Sequence, residues 1–345
     1  MHIDIALRFK LFSHVPGTTC LIPGTLWRAQ VYPTLIKFFG PLGEKVTYPF
    51  SHGGPLEQFT IEQDLEKREV RILGKTGEQF LRSLVFCRKG ELEFVEGKNA
   101  PLQIASISPW KERSSCDTSP RLSMGVHKKQ EWEGIKQRRE LVEILPLWFY
   151  LGAMTPHVET QDTQGVRRGS LMLLDECKHL LETRQRRELE IRLRYLFLAG
   201  FSGMFNPRMH DADHQGILSD VPEEDLKTAL LLLSEGAQSI RGLFVSQADG
   251  RLSLLPCLLP SFYAGRFVNL FTEDGDGLDL EWSKGMLRRA ILRPVADRTV
   301  MLEWPKELRH CKVRSSLKDR GRTLKRGEPL ELHSHQPLFL DRFEK

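Results

Sequence analysis

Residues 236–282 read GAQSIRGLFVSQADGRLSLLPCLLPSFYAGRFVNLFTEDGDGLDLEW. The stretch opens on the end of an apolar helix, because Leu226, Leu230, Leu233, Ala237 and Ile240 recur at helical spacing just before and within it. A strand follows, then a tight turn at Ala248-Asp249-Gly250 and a second strand; Asp-Gly between two such runs is hairpin chemistry. Pro256-Cys257-Leu258-Leu259-Pro260 bends the chain, and a further hairpin ends in Leu278-Asp279-Leu280-Glu281-Trp282. A helix handing over to successive short hairpins puts a helical region before this point and a β region after it.

Working outward, the C-terminal side stays β. Lys284-Gly285 is a hairpin turn between Leu278–Trp282 and Leu287–Leu292, and Val300–Trp304 and Cys311–Arg314 read as further strands. Upstream, Leu189, Leu193, Leu196 and Phe197 form one helical stripe, and Leu171, Leu174, Cys177 and Leu181 another. Trp132, Ile135, Val142 and Leu145 form a third, which Pro146 is expected to end or kink. Ser219 or Asp220 before Pro222-Glu223-Glu224 is a helix start, with a capping side chain, a fixed φ and acids at the positive dipole end. From Ile3 to Ile107 the period is two: Ile3–Phe9, Val70–Gly74, Phe80–Phe86 and Glu91–Val95 are strand-like, separated by turns such as Lys89-Gly90. The expected fold is therefore α+β. An N-terminal antiparallel β-sandwich spans 1–108, a linker 109–126, a short α-helical domain 127–241 and a C-terminal antiparallel β-sandwich 242–345.

The 236–282 stretch resembles the junction in α-L-fucosidase-like and related (α/α)6-toroid glycoside hydrolases. There the last helix passes to a strand, an "LLPALP" bend, an aromatic-Gly turn and a strand with a buried Trp, entering a C-terminal β-sandwich. The resemblance implies a partial α/α-toroid-like helical domain and a carbohydrate-active lineage, and it carries no catalytic residue. A complete toroid of twelve helices needs about 300 residues. The 127–241 segment has room for about five or six helices, so its helical domain is shortened.

Composition sets the remaining bounds. With 40% hydrophobic and 28% charged residues the chain is an ordinary globular protein and not a disordered one. The net charge of +5 comes from dispersed residues, and the Arg184–Arg194 run alternates with Glu and Leu like a salt-bridged helix face, so no nucleic-acid partner is expected. No membrane partner is expected either, since no stretch approaches the roughly 20 apolar residues of a span. The six cysteines lack CxxC spacing and read as reduced thiols. Met1–Ile5 does not read as a secretory leader, so a cytoplasmic location is expected.

Chemistry concentrates in Asn206–Gly216, which holds Arg208, His210, Asp211, Asp213, His214 and Gln215 in one loop. Asp211 and Asp213 are candidate paired carboxylates for hydrolysis of a glycosidic bond, with Arg208, His210, His214 and Gln215 as contacts to an oligosaccharide or glycoside. The same side chains would equally serve to cap helices or bind one another. A metal at His210 and His214 needs a helix that Pro207 and Gly216 disfavour, and no cofactor or metal is expected. A second candidate joins the linker to the first helix: His127 and Lys128 supply donors and Trp132 an aromatic platform for a sugar ring. Here too a core Trp132 and solvated lysines are the alternative. No GxSxG, GxxxxGK[ST] or GxGxxG motif is present. Three functions remain open: a glycoside hydrolase, an inactive relative that binds glycans or acts as an interaction scaffold, and a lyase or phosphorylase on the same architecture.

Overall fold

The computed structural model describes residues 3, 5, 9–52, 54–111, 119–125, 129–157, 167–217, 226–316 and 318–345, with the side chains of 226 and 227 excepted. The chain is a mixed α+β protein dominated by sheets. A seven-stranded sheet runs, in spatial order, Leu102–Ser106, Glu91–Glu96, Gln79–Arg88, Glu69–Thr76, Glu57–Asp64, Lys10–Ser13 and Lys129–Glu131. A four-stranded sheet of Thr18–Leu21, Arg28–Val31, Leu35–Phe39 and Lys45–Pro49 packs on it. Phe94 of the first sheet meets Phe38 and Tyr48 of the second at ring distances of 6.4 and 4.9 Å. Glu91–Glu96 shows why the alternation is legible: Leu92 and Phe94 face this core while Glu91 and Glu93 face out.

The helices are α1 (Trp132–Arg138), α2 (Leu141–Met154), α3 (Ser170–Glu182), α4 (Arg186–Gly200) and α5 (Leu226–Phe244). Leu171, Leu174 and Cys177 on α3, Leu189, Leu193, Leu196 and Phe197 on α4, and Leu230, Leu233, Ala237 and Ile240 on α5 are buried as their spacing predicts, and Leu181 is partly so. The first stripe is different. It is split at Arg139, whose left-handed φ of 57° ends α1, and Pro146 lies inside α2. Burial of α2 on most of its sides outweighs the one backbone bond that Pro146 removes. α2 and α5 cross closely. Trp148 donates its indole N–H to the Leu232 carbonyl at 2.9 Å, and its ring lies where a Cβ on Gly236 would come within 2.5 Å. The expected helix start at Ser219–Pro222 lies outside the described residues.

Beyond α5 the strands of the quoted stretch fall into two different sheets. Val245–Ala248 and Arg251–Leu254 join Arg298–Glu303 and Pro329–Leu332 in a four-stranded sheet. Ala264–Phe271, Gly277–Ser283 and Met286–Arg293 join Leu338–Glu344, His310–Arg314 and Arg322–Lys325 in a seven-stranded one. Asp249-Gly250 and Lys284-Gly285 have positive φ at both central positions, the geometry that tight hairpins of right-handed twist require. Trp304, just past the smaller sheet, meets Phe343 of the larger at 5.5 Å, so the two face each other.

Three features depart from the sequence boundaries. Arg121–Ser123, inside the expected linker, is an edge strand of the C-terminal sheet, paired with Arg266–Val268. Lys129–Glu131, expected in the helical region, runs parallel to Lys10–Phe12 in the first sheet. A second parallel pair joins Arg251–Ser253 to Met301–Glu303, so neither sandwich-like unit is purely antiparallel. One continuous apolar core links sheets and helices from Ile3 to Phe343. Five described helices supply part of a helical layer, without a closed ring among the described residues. No helix among them is long and apolar enough to cross a membrane. Of the five described cysteines, all free thiols, Cys20, Cys177, Cys257 and Cys311 are buried.

Candidate functional site

The 206–217 loop is built on the end of α4. Phe201–Ser202 and Asn206–Pro207 form a two-stranded hairpin whose tip, Gly203, has a φ of +52°. A Cβ there would sit 2.2 Å from the Thr19 carbonyl, so only glycine allows this approach. Met204 then donates its amide to Thr19 at 2.8 Å, tying the hairpin to the N-terminal sheets.

Arg208 organises the turns beyond this hairpin. Its backbone amide donates to the Gly200 carbonyl at 2.8 Å, and its guanidinium donates to those of Ala199 and Leu198 at 2.9 and 3.1 Å. These are carbonyls at the C-terminal end of α4, where donors are lacking and a cation is favoured. The same guanidinium donates to Asp211 Oδ1 at 2.8 Å and to Asp213 Oδ2 at 3.0 Å. Asp211 Oδ2 accepts the amides of Gly216 at 2.8 Å and Ile217 at 3.0 Å. Asp211 is thereby fully enclosed, with 0% of its surface exposed, whereas Asp213 is 59% exposed along its side chain.

This enclosure sets the electrostatics. Burial alone would push the Asp211 carboxyl up, but the amides of Gly216, Ile217 and Gln215 and then the Arg208 charge outweigh it and hold it below the usual carboxylate range. A general acid needs the opposite shift, so that it still carries its proton at working pH. Enclosed in this way, the Asp211 anion pins the loop to α4 and does not suit the general-acid role. Arg208, with its guanidinium already engaged four ways, has the matching role.

The remaining members of the loop are divided between interior and solvent. His210 is half-buried, and its Nδ1 has no hydrogen-bond partner among the described residues. Asp213, His214 and Gln215 form an exposed rim. Residues 208–217 run through turns, so the four-residue spacing of His210 and His214 does not align them on a helix. Among the described residues no group of three His, Cys, Asp or Glu side chains is arranged to hold a metal ion.

The second candidate segment is not a sugar platform at Trp132. That residue is 2% exposed and its ring lies 5.1 Å from Phe205 and 5.7 Å from Phe197. It begins α1 on the core-facing side, so both faces of the indole are in the interior. His127 and Lys128 lie outside the described residues. Trp132 thus packs against rings at the end of α4 and in the hairpin that precedes the 206–217 loop.

An Asp211→Asn variant is expected to lose about 1.5–3 kcal/mol of unfolding free energy, since it weakens charged hydrogen bonds in a buried setting. Asp213→Asn is expected to change stability by under about 1 kcal/mol, because its partner bond is solvent-exposed. Chemical denaturation of both variants checks the contrast. Equal stabilities would refute the structural role assigned to Asp211.

The structure also forms a cavity that the sequence did not signal, of about 180 Å³, between the α3–α4 turn and the segment 303–307. Arg184, Arg186, Lys306 and Arg326 line it with Glu303 and Glu307, over walls of Leu255, Pro256 and Pro305. These residues come from well-separated parts of the chain, and no local spacing announces them. A wider, open groove of about 580 Å³ on α3 and α4 includes Met172, His179 and Arg192. None of residues 208–215 lines either one. No family model matches this chain, and no curated protein matches it.

Proposed function

We infer that this chain acts by binding and not by turnover: a glycosidase-like protein that engages glycans at the exposed rim Asp213–Gln215. The observation that carries this reading is the locked state of Asp211, whose carboxylate is enclosed and held anionic by Arg208 and two backbone amides. A hydrolase built on this loop would need a protonated acid and a second, independent carboxylate. Here Asp211 and Asp213 share one guanidinium. The rim, by contrast, keeps a carboxylate, an imidazole and an amide facing solvent, the planar groups that suit vicinal hydroxyls. The resemblance of residues 236–282 to the fucosidase-like junction supports the sugar lineage and is neutral on catalysis.

The test is a panel of aryl glycosides and neutral oligosaccharides scored together for turnover and for a shift in melting temperature. The expected result is no turnover, at least one stabilising sugar, and loss of that stabilisation in His214→Ala/Gln215→Ala with the unliganded melting temperature unchanged. Turnover that Asp213→Asn abolishes without unfolding would overturn the reading. So would the absence of a thermal response to every sugar tested.

A further inference from the structure

The cavity at the start of α4 is lined by more cationic than anionic side chains. Its lining holds four cations, Arg184, Arg186, Lys306 and Arg326, against two carboxylates, Glu303 and Glu307. Glu303 is already engaged, by Arg251 at 3.1 Å and by Arg326 at 3.3 Å. Arg326 is held in place as well by donating Nε to the Trp304 carbonyl at 2.8 Å. Arg184, Arg186 and Lys306 have no ion pair among the described residues. Burial pushes the Cys257 thiol up, and the charges of Arg186 and Arg184 pull against it. Both arginines line the cavity together with Leu255 and Pro256.

Local backbone geometry adds to the same field. Arg184 has a left-handed φ of 57°, which turns the chain sharply between α3 and α4 and sets Arg184 and Arg186 on one cavity. α4 starts at Arg186 with no side-chain cap on its first amides. A helix start without a side-chain cap is a partial positive charge, here with the Arg186 amide turned back to the Arg184 carbonyl at 3.0 Å. Guanidinium forks match the oxygen edges of a tetrahedral oxyanion, and a lysine adds a mobile point charge. Size narrows the ligand further. At about 180 Å³ the cavity falls below the roughly 300 Å³ at which pockets enclose larger organic ligands, so it suits one small charged group and excludes an oligosaccharide.

We propose that this cavity is a binding site for a phosphate group, carried either by free inorganic phosphate or by a small phosphate monoester. Arg184 and Arg186 grip the phosphate oxygens, Lys306 closes over them from the opposite wall, and Arg326 is the fixed edge of the site. The site is independent of the glycan rim and stands or falls without it.

Calorimetric titration of the full chain at constant ionic strength, balanced with chloride, tests the assignment using inorganic phosphate, glucose 6-phosphate and glucose. Saturable binding of at least one phosphate compound is expected, with none for glucose. Arg184→Gln/Arg186→Gln is expected to weaken it at least tenfold, and Lys306→Gln several-fold, with unliganded melting temperatures kept. Lys306, exposed on a loop, serves as the variant least able to disturb folding. Equal affinity for the two phosphate compounds identifies the free anion as sufficient, and tighter binding of the ester identifies a monoester. The proposal is overturned if neither phosphate compound binds, if glucose binds as well as its phosphate, or if the variants bind like the parent protein. Asp213→Asn is expected to leave phosphate affinity unchanged, which separates this site from the rim.

Discussion

Asp64→Ala is expected to lose about 3–5 kcal/mol of unfolding free energy at pH 7, read from the urea midpoint. Strand register explains the size of the effect. Lys10 lies opposite Asp64 and Phe12 opposite Glu62, while Arg71 and Glu69 lie opposite Glu62 and Asp64 on the other side. The period of two therefore gathers Lys10, Glu62, Asp64, Glu69 and Arg71 on one face of the sheet. Asp64, 1% exposed along its side chain, is 2.9 Å from both Lys10 Nζ and Arg71 Nη2, and its Oδ1 accepts the Lys67 amide at 3.0 Å. Glu62 bridges the same two cations at 3.1 and 2.7 Å. Deleting Asp64 removes one partner from each of Lys10 and Arg71 and the acceptor of the Lys67 amide in a largely buried setting, leaving Glu62, with Glu69 at Arg71, to hold the two cations. A loss below about 1 kcal/mol would show that water screens the network like an ordinary surface pair.

The same network gives a signed pH dependence. Burial pushes the Asp64 and Glu62 carboxyls up, but Lys10, with the Lys67 amide at Asp64 and Lys129 and Arg71 nearby, outweighs it and lowers both. The folded chain then binds fewer protons at these groups than the unfolded chain does. Their stabilisation is complete above the ordinary carboxylate range, near about pH 4–5, and is lost as pH falls through the lowered folded values. Denaturant midpoints measured between pH 7 and pH 2 are expected to fall at the acid end, and to fall less in Asp64→Ala.

Trp282→Ala is the second large effect, at about 3–5 kcal/mol, because a fully buried indole leaves a cavity that its neighbours cannot fill. Trp282 is 1% exposed, packs 5.0 Å from Phe244 at the end of α5, and donates its N–H to the Phe262 carbonyl at 3.1 Å. Its ring covers Gly265 so closely that a Cβ there would approach it to 2.2 Å. Gly265→Ala is thus expected to destabilise the parent by pushing the ring aside, and to cost less once Trp282 is already alanine. A double-mutant cycle by thermal denaturation reads this coupling, and strict additivity would refute the contact. Trp282→Phe, which retains an aromatic ring and loses only the indole donor, is expected to fall between parent and alanine.

These two sites mark different degrees of legibility. Trp282 was readable as packing from its place in an alternating strand, and its partner Phe244 lies in the same stretch as the helix end. Asp64 was not singled out by sequence reasoning, since an acid within Glu57–Asp64 looks the same whether it faces water or two cations. Asp211 shows the same ambiguity from the other side. Its loop composition fitted both a sugar site and a structural clamp, and the position of Arg208 against the end of α4 shows the clamp at Asp211 while Asp213–Gln215 stay at the surface.

What the amino-acid order by itself determined is local: the period-two strands, the helical stripes of α3 to α5, and the turns at Lys89-Gly90, Asp249-Gly250 and Lys284-Gly285. Each depends on steric and hydrophobic preferences acting over a few residues, which the chain displays in its spacing alone. Only the tertiary structure decided that Arg121–Ser123 closes the C-terminal sheet, that Trp132 is core, that Asp211 is an anchor, and that four cations meet at one cavity. Those outcomes depend on which distant segments come together, and a side chain's chemistry changes with the dielectric and the partners it finds there.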